Sequence, residues 1–207
     1  MIKVGITGGI GCGKSTVCRL FQQKGIAVYD SDSEAKRLMH SDAQLIGDLK
    51  KRFGEEIYSD GELDRKALAD KVFQDTEALE DLNRLVHPAV MRDFHRWCTE
   101  QEGDYVLLES AILFDAHLEN EVDRTIAVLA PEPLRVERAA KRDGCDPELI
   151  RRRIAAQLPE EELARRADQV VVNIKQEDLD GAVNYLHHIF TLEAQRRAAA
   201  KADPMIS

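Results

Sequence analysis

Residues 5–16 read GITGGIGCGKST, and few folds accept that stretch. Gly8, four residues, then Gly13, Lys14 and Ser15 follow the phosphate-loop spacing G-x-x-x-x-G-K-[ST]. Ile2, Val4 and Ile6 precede it at strand spacing. A helical pattern over 15–24, with Val17, Leu20 and Phe21 apolar, follows it. Strand, glycine loop and helix N-terminus together make an anion site, because several backbone N–H groups face one point and the helix dipole favours negative charge there. Lys14 is expected to reach the β- and γ-phosphates of a nucleotide, and Ser15 to ligate Mg²⁺ through its hydroxyl. Gly9, Gly11, Cys12, Gly13 and Thr16 complete the expected nucleotide contact surface. The loop specifies a nucleoside triphosphate; it does not separate a kinase from a switch or a motor.

Four more short apolar segments, 26–30, 105–109, 124–129 and 169–172, alternate with helical patterns. That order predicts an α/β fold, a five-stranded parallel sheet covered on both faces in three α/β/α layers. At 207 residues this is one domain with insertions. The interval of about 33–103 is too long for a simple crossover. It reads as an inserted, mostly helical subdomain, with Leu45, Ile46 and Leu49 and then Leu79, Leu82, Leu85 and Val86 at helical spacing, punctuated by Gly54 and Asp60-Gly61. Such an insertion is a natural wall for a second substrate. Residues 178–200 read as one helix, and Ala202 to Ser207 as a frayed tail.

No apolar run approaches the length of a membrane span. Strand residues begin at once, which leaves no room for a signal peptide. The cysteines, 12, 18, 98 and 145, form no C-x-x-C pair, so neither zinc nor a disulfide framework is expected and a reducing cytoplasm is the simplest setting. Cys12 fills a loop position that needs a small residue. The net charge of −9 argues against a broad nucleic-acid surface. Anionic substrates then need a local basic patch, which residues 135–153 supply with seven Lys/Arg against four acids.

Within the sheet pattern, VYDSD (28–32) places Asp30 and Asp32 at the end of a strand, where ligands of open α/β sheets bind. If the chain stays extended, both carboxylates project to one face. One could accept a proton from an acceptor hydroxyl; equally, Asp30, Ser31, Asp32 and Ser33 all suit a helix N-cap. Glu109 closes the apolar strand YVLLE in the manner of a Walker B acid, facing a metal. Arg135, Arg138 and Arg142, at i, i+3 and i+7, share one helix face and suit phosphates. His87-Pro88 lies inside the insertion, where a lone histidine is more often structural. A GTPase-type switch would need Asn-Lys-x-Asp, which is absent, and the D-x-x-G at 178–181 falls after the last strand. A nucleoside or nucleoside monophosphate kinase, and a nucleotide-binding regulator without turnover, share the same loop logic.

TGGIGCGKST (7–16), DSD (30–32), HP (87–88), ESAILFD (109–115), RAAKRDG (138–144), RIAAQ (153–157) and ADQVVVN (167–173) together resemble the dephospho-CoA kinases, from Ile6 to about Asn173. The resemblance implies a P-loop kinase fold and transfer of the γ-phosphoryl of ATP, with Mg²⁺, to the ribose 3′-hydroxyl of dephospho-CoA. The products would be coenzyme A and ADP, in the last step of CoA biosynthesis. It implies Asp32 as base for the acceptor hydroxyl, and Arg142, supported by Arg138, as compensating charge. Arg142 would belong to a mobile lid of about 139–166. The insertion would be the acceptor domain, with His87 in or near it. Asn173 would lie by the adenine, and Ser15 with Glu109 by the metal. The implied partners are the two small substrates, with no nucleic acid and no membrane, in a monomer or weak homo-oligomer. The chain departs from the family's usual third-strand motif at Ala111, Ile112 and Asp115, which stand for Pro, Leu and Glu.

Overall fold

The structure, a computed structural model, describes residues 1–72 and 75–202. In chain order the regular elements are β1 (Ile2–Thr7), α1 (Lys14–Gln22), β2 (Val28–Asp30), α2 (Ser31–Ser41), α3 (Ala43–Phe53), β3 (Tyr58–Ser59), β4 (Glu62–Leu63), α4 (Arg65–Val72) and α5 (Thr76–Thr99). They continue as β5 (Tyr105–Glu109), β6 (Arg124–Leu129), α6 (Glu132–Asp143), α7 (Pro147–Ala155), α8 (Glu160–Arg166), β7 (Gln169–Val172) and α9 (Gln176–Ala202). The tail expected from Ala202 onward lies, beyond 202, outside the described residues. Two compact units share the chain: Met1–Tyr29 with Gln101–Ser207, and Asp30–Glu100.

The first unit is built on a parallel sheet of order β2-β5-β1-β6-β7. Ile2 stands opposite Tyr105, Val4 opposite Leu107, and Ile126 opposite Gln169. Side chains alternate across a strand, so β1 feeds both layers. Ile2, Val4 and Ile6 join Val17, Cys18 and Phe21 of α1 and Leu179, Val183, Leu186 and Phe190 of α9 in one core. Between them, Gly5 faces the other way, and a Cβ there would meet Leu113 Cδ2 at 2.9 Å. A larger residue at 5 would push the opposite layer off the sheet. β2 is shorter than expected. Ile26 is held in the turn after α1, its N–H donating to the Phe21 carbonyl at 3.2 Å, and pairing resumes only where Leu107 N–H reaches the Ala27 carbonyl at 2.9 Å.

The unit Asp30–Glu100 packs α2, α3 and α4 against α5. Leu38, Leu45, Leu49, Phe53, Leu68, Val86, Val90 and Phe94 are buried. Leu79, expected on the apolar face, is 44% exposed; its neighbour Ala78 is the buried residue of that turn. The unit also contains a hairpin that the helical reading missed. β3 and β4 pair antiparallel, and Asp60 (φ 52°) and Gly61 (φ 84°) both take positive φ at the turn, as a type I′ hairpin requires. Two residues per strand are too few to show a period of two.

At the head of this unit the chain does not stay extended through Asp32. Asp30 is the N-cap of α2, its carboxylate accepting from the N–H groups of Asp32 (3.1 Å) and Ser33 (3.2 Å) and from the Ser33 hydroxyl (2.7 Å). Asp32 sits in the first helical turn, so the two aspartates do not share an extended face.

Candidate active site

The loop between β1 and α1 bends back on itself because Gly11 (φ 77°) and Gly13 (φ 89°) take left-handed backbone. Gly13 is the N-cap of α1 and offers no side chain to the first helical N–H groups, which stay available to an anion. A 560 Å³ cavity opens over the loop. Gly9, Gly11, Cys12, Gly13, Lys14, Ser15 and Thr16 all line it, and Arg138, Arg142 and Gln157 close its sides.

Lys14 and Ser15, which line the cavity, meet a third expected residue beside it. Glu109, buried at the end of β5, has one carboxylate oxygen 3.0 Å from the Ser15 hydroxyl and 3.4 Å from Lys14 Nζ. Lysine charge and carboxylate charge offset each other at short range, which makes a carboxylate tolerable beside a triphosphate site. The Ser15 hydroxyl and the Glu109 carboxylate are hard oxygen donors that fit Mg²⁺, an ion that takes one or two protein oxygens and fills its shell with waters and substrate phosphates. Among the described residues no cluster of three or more His, Cys, Asp or Glu could form an all-protein metal cage.

The three arginines of α6 do different work. Arg142, exposed, bonds its neighbour Asp143 through Nε (2.7 Å) and Nη2 (3.2 Å). The pairing holds the Asp143 carboxyl below its usual range and raises the guanidinium. Arg138 lines the cavity while donating to the carbonyls of Asn173 (3.0 Å) and Ile174 (3.1 Å). Arg135 leaves the expected row. It is buried, donating Nε to the Ile10 carbonyl (3.0 Å), Nη1 to Glu160 (3.0 Å) and Nη2 to Gln157 (3.4 Å). Helical spacing put the three residues on one face, but the loop passing over the start of α6 captures the first. Arg151, Arg152 and Arg153 are exposed. Arg135→Ala is expected to lower stability by about 3 kcal/mol in denaturant unfolding, since removing one partner of a buried pair strands the other. A change below about 0.5 kcal/mol would mean that Arg135 holds nothing together.

Asn173 is also buried, and its amide nitrogen donates 2.8 Å to the Cys12 carbonyl. It braces the loop from behind and is not one of the cavity-lining residues. A Cβ on Gly13 would lie 2.0 Å from that nitrogen. Cys12 is buried and desolvation pushes its thiol up, which keeps it protonated filler. Asp32 and His87 belong to the other unit. Asp32 is exposed, and its carboxylate takes no hydrogen bond from any described residue. His87 is half-buried in α5, one residue before the Pro88 that interrupts the helix's hydrogen bonding, and burial lowers its pKa toward the neutral imidazole. Gln157 and Glu160 carry contacts no single-residue pattern revealed. The quoted RIAAQ segment contains the glutamine, but only the tertiary contact shows what it holds.

The family model described as dephospho-CoA kinase matches residues 2–178. The dephospho-CoA kinase of Porphyromonas gingivalis is 44% identical over 174 residues, 84% of this chain and 86% of that protein. The dephospho-CoA kinase of Methylococcus capsulatus is 37% identical over 196 residues, 94% of this chain and 99% of that protein. A solved structure from Thermus thermophilus superposes with a TM-score of 0.80 at 39% identity, covering 90% of this chain and 96% of that one.

Proposed function

Because the chain belongs to the dephospho-CoA kinase family, an ATP-dependent kinase family, we propose that it transfers the γ-phosphoryl of ATP to the ribose 3′-hydroxyl of dephospho-CoA. The family match across residues 2–178 carries this reading. Lys14 and the loop amides hold the β- and γ-phosphates. Ser15 and Glu109 would hold Mg²⁺, which when bound would neutralise phosphate charge. Asp32 orients the acceptor hydroxyl and takes its proton; the lack, among the described residues, of any competing partner for its carboxylate supports that role. Arg142 exchanges its Asp143 partner for the moving phosphoryl group and compensates charge there, with Arg138 in support.

The remaining assignments belong to the same proposal. The subdomain of about 33–103 binds the acceptor, with His87 neutral among its contacts. Residues of about 139–166 act as a lid that excludes water, since hydrolysis of ATP is the competing reaction. Asn173 serves ATP through the loop it braces. No helix among the described residues is long and apolar enough to cross a membrane. We read the protein as a cytoplasmic monomer or weak homo-oligomer, acting on two small substrates without nucleic acid.

The test is ADP release with Mg-ATP and a panel of acceptors: dephospho-CoA, adenosine, AMP, CMP and none. Release with dephospho-CoA alone, yielding CoA, is the expected result. Release with a nucleoside or monophosphate would move the acceptor assignment, and equal slow release without acceptor would replace the kinase by an NTPase.

A further inference from the structure

Gln157 follows α7, just beyond the basic segment, yet its side chain reaches the phosphate loop. Its amide oxygen accepts from Ile10 N–H at 2.8 Å and from Arg135 Nη2 at 3.4 Å. Arg135 is fixed in turn by the Ile10 carbonyl and by Glu160, whose same oxygen accepts Ala130 N–H at 3.2 Å. Two converging donors settle which end of the Gln157 amide is oxygen, because a nitrogen there would set donor against donor. Nε2 is therefore the end left over. It carries two N–H groups, makes no hydrogen bond with any described residue, and belongs to a side chain that lines the 560 Å³ cavity. Asn173, the other loop-bound amide, is arranged the opposite way. Its nitrogen is committed to the Cys12 carbonyl, and it does not line the cavity.

We propose that Gln157 is a substrate-contacting residue of the nucleotide site: Ile10 and Arg135 grip its oxygen, and its Nε2 donates to the terminal, transferable phosphate of the bound triphosphate. The proposal rests on the kinase reading and deepens it. Ile10 and Gly9 occupy the first half of the loop, ahead of the helix N-terminus, and Gln157 takes its loop hydrogen bond there, from Ile10. Lys14 and the loop amides at α1 approach the β- and γ-phosphates from the helix N-terminus, so a donor entering beside Ile10, in the cavity that Arg138 and Arg142 also line, meets the terminal phosphate from its other side. A neutral amide suits that position. It gives a directed hydrogen bond to a charge-bearing oxygen that is preorganised by two bonds made before the nucleotide arrives. The same linkage ties the proposed lid to the loop at one side chain.

Gln157→Glu separates donor from anchor. Glutamate keeps the oxygen that Ile10 N–H and Arg135 grip, and lacks the Nε2 donor. We expect kcat to fall at least 30-fold and affinity for a non-hydrolysable β,γ-imido ATP analogue to fall at least tenfold. ADP, which lacks the terminal phosphate, should bind within threefold of wild type, and Tm should not drop. Gln157→Ala loses anchor and donor alike and should lose kcat with a lower Tm. Wild-type turnover in Gln157→Glu would overturn the proposal and leave only the anchoring oxygen. Equal weakening of ADP and the analogue would overturn it too, by placing the effect on the loop or the inner phosphates. Both nucleotide affinities are measured without acceptor, so failure of the dephospho-CoA assignment would show separately, as wild-type protein that binds nucleotide but forms no CoA.

Discussion

Asp32→Asn is expected to lower kcat by roughly 10²–10⁴ while ATP affinity stays within about threefold, the scale for loss of a positioned general base. Local geometry makes the experiment clean. Asp30, not Asp32, caps α2, so the exchange leaves the cap bonds to the Asp32 and Ser33 N–H groups in place. The Asp32 side chain is exposed and holds no neighbour among the described residues, so asparagine changes the charge and basicity of the carboxyl group and little else. Stability should be nearly that of wild type, in contrast to Asp30→Ala, which removes an N-cap worth about 1 kcal/mol. A loss of activity under tenfold would reduce Asp32 to an acid in the first turn of a helix.

Lys14→Ala should reduce kcat by about 10²–10³, the cost of deleting one preorganised donor to a developing anion, and should also weaken ATP binding. Two effects combine. The Nζ group that reaches for the phosphates disappears, and Glu109, buried at 9% exposure, loses the cation 3.4 Å from its carboxylate. An unbalanced carboxylate then faces the triphosphate and repels it. Adding Glu109→Gln to Lys14→Ala should therefore recover part of the affinity for ATP titrated without Mg²⁺, though not the rate. Steady-state kinetics with nucleotide titration reads both quantities. Unchanged turnover in Lys14→Ala would remove the phosphate role from this residue. No recovery in the double variant would remove the repulsion.

The glycine loop, the parallel sheet and most of its strands were legible in the chain because each rests on local rules. A glycine loop between a period-two strand and an amphipathic helix can curl in few ways. Tyr105–Glu109, Arg124–Leu129 and Gln169–Val172 are strands over the residues their apolar runs mark. The strand expected at 26–30 begins only at Val28 because the turn after α1 claims Ile26. The β3–β4 hairpin escaped because its strands are shorter than any pattern.

What the amino-acid sequence determined by itself is the chemistry available: a glycine loop with the spacing for phosphates, a serine, a strand-end glutamate and a lysine, and a run of arginines. What tertiary structure alone decided is which like residues do which work. Arg135, Arg138 and Arg142 share a helix face and a charge, but the backbone crossing each end of that face differs. The Ile10 carbonyl takes the first, the Asn173 and Ile174 carbonyls take the second, and Asp143 takes the third in the open. Asp30 and Asp32 are one residue type two positions apart, and the start of α2 between them makes one a cap and leaves the other unpartnered. Spacing along a chain sets which face a side chain leaves from. Which polar group waits there depends on segments distant in sequence, as with Gln157 and Ile10, and that pairing exists only once the chain has folded.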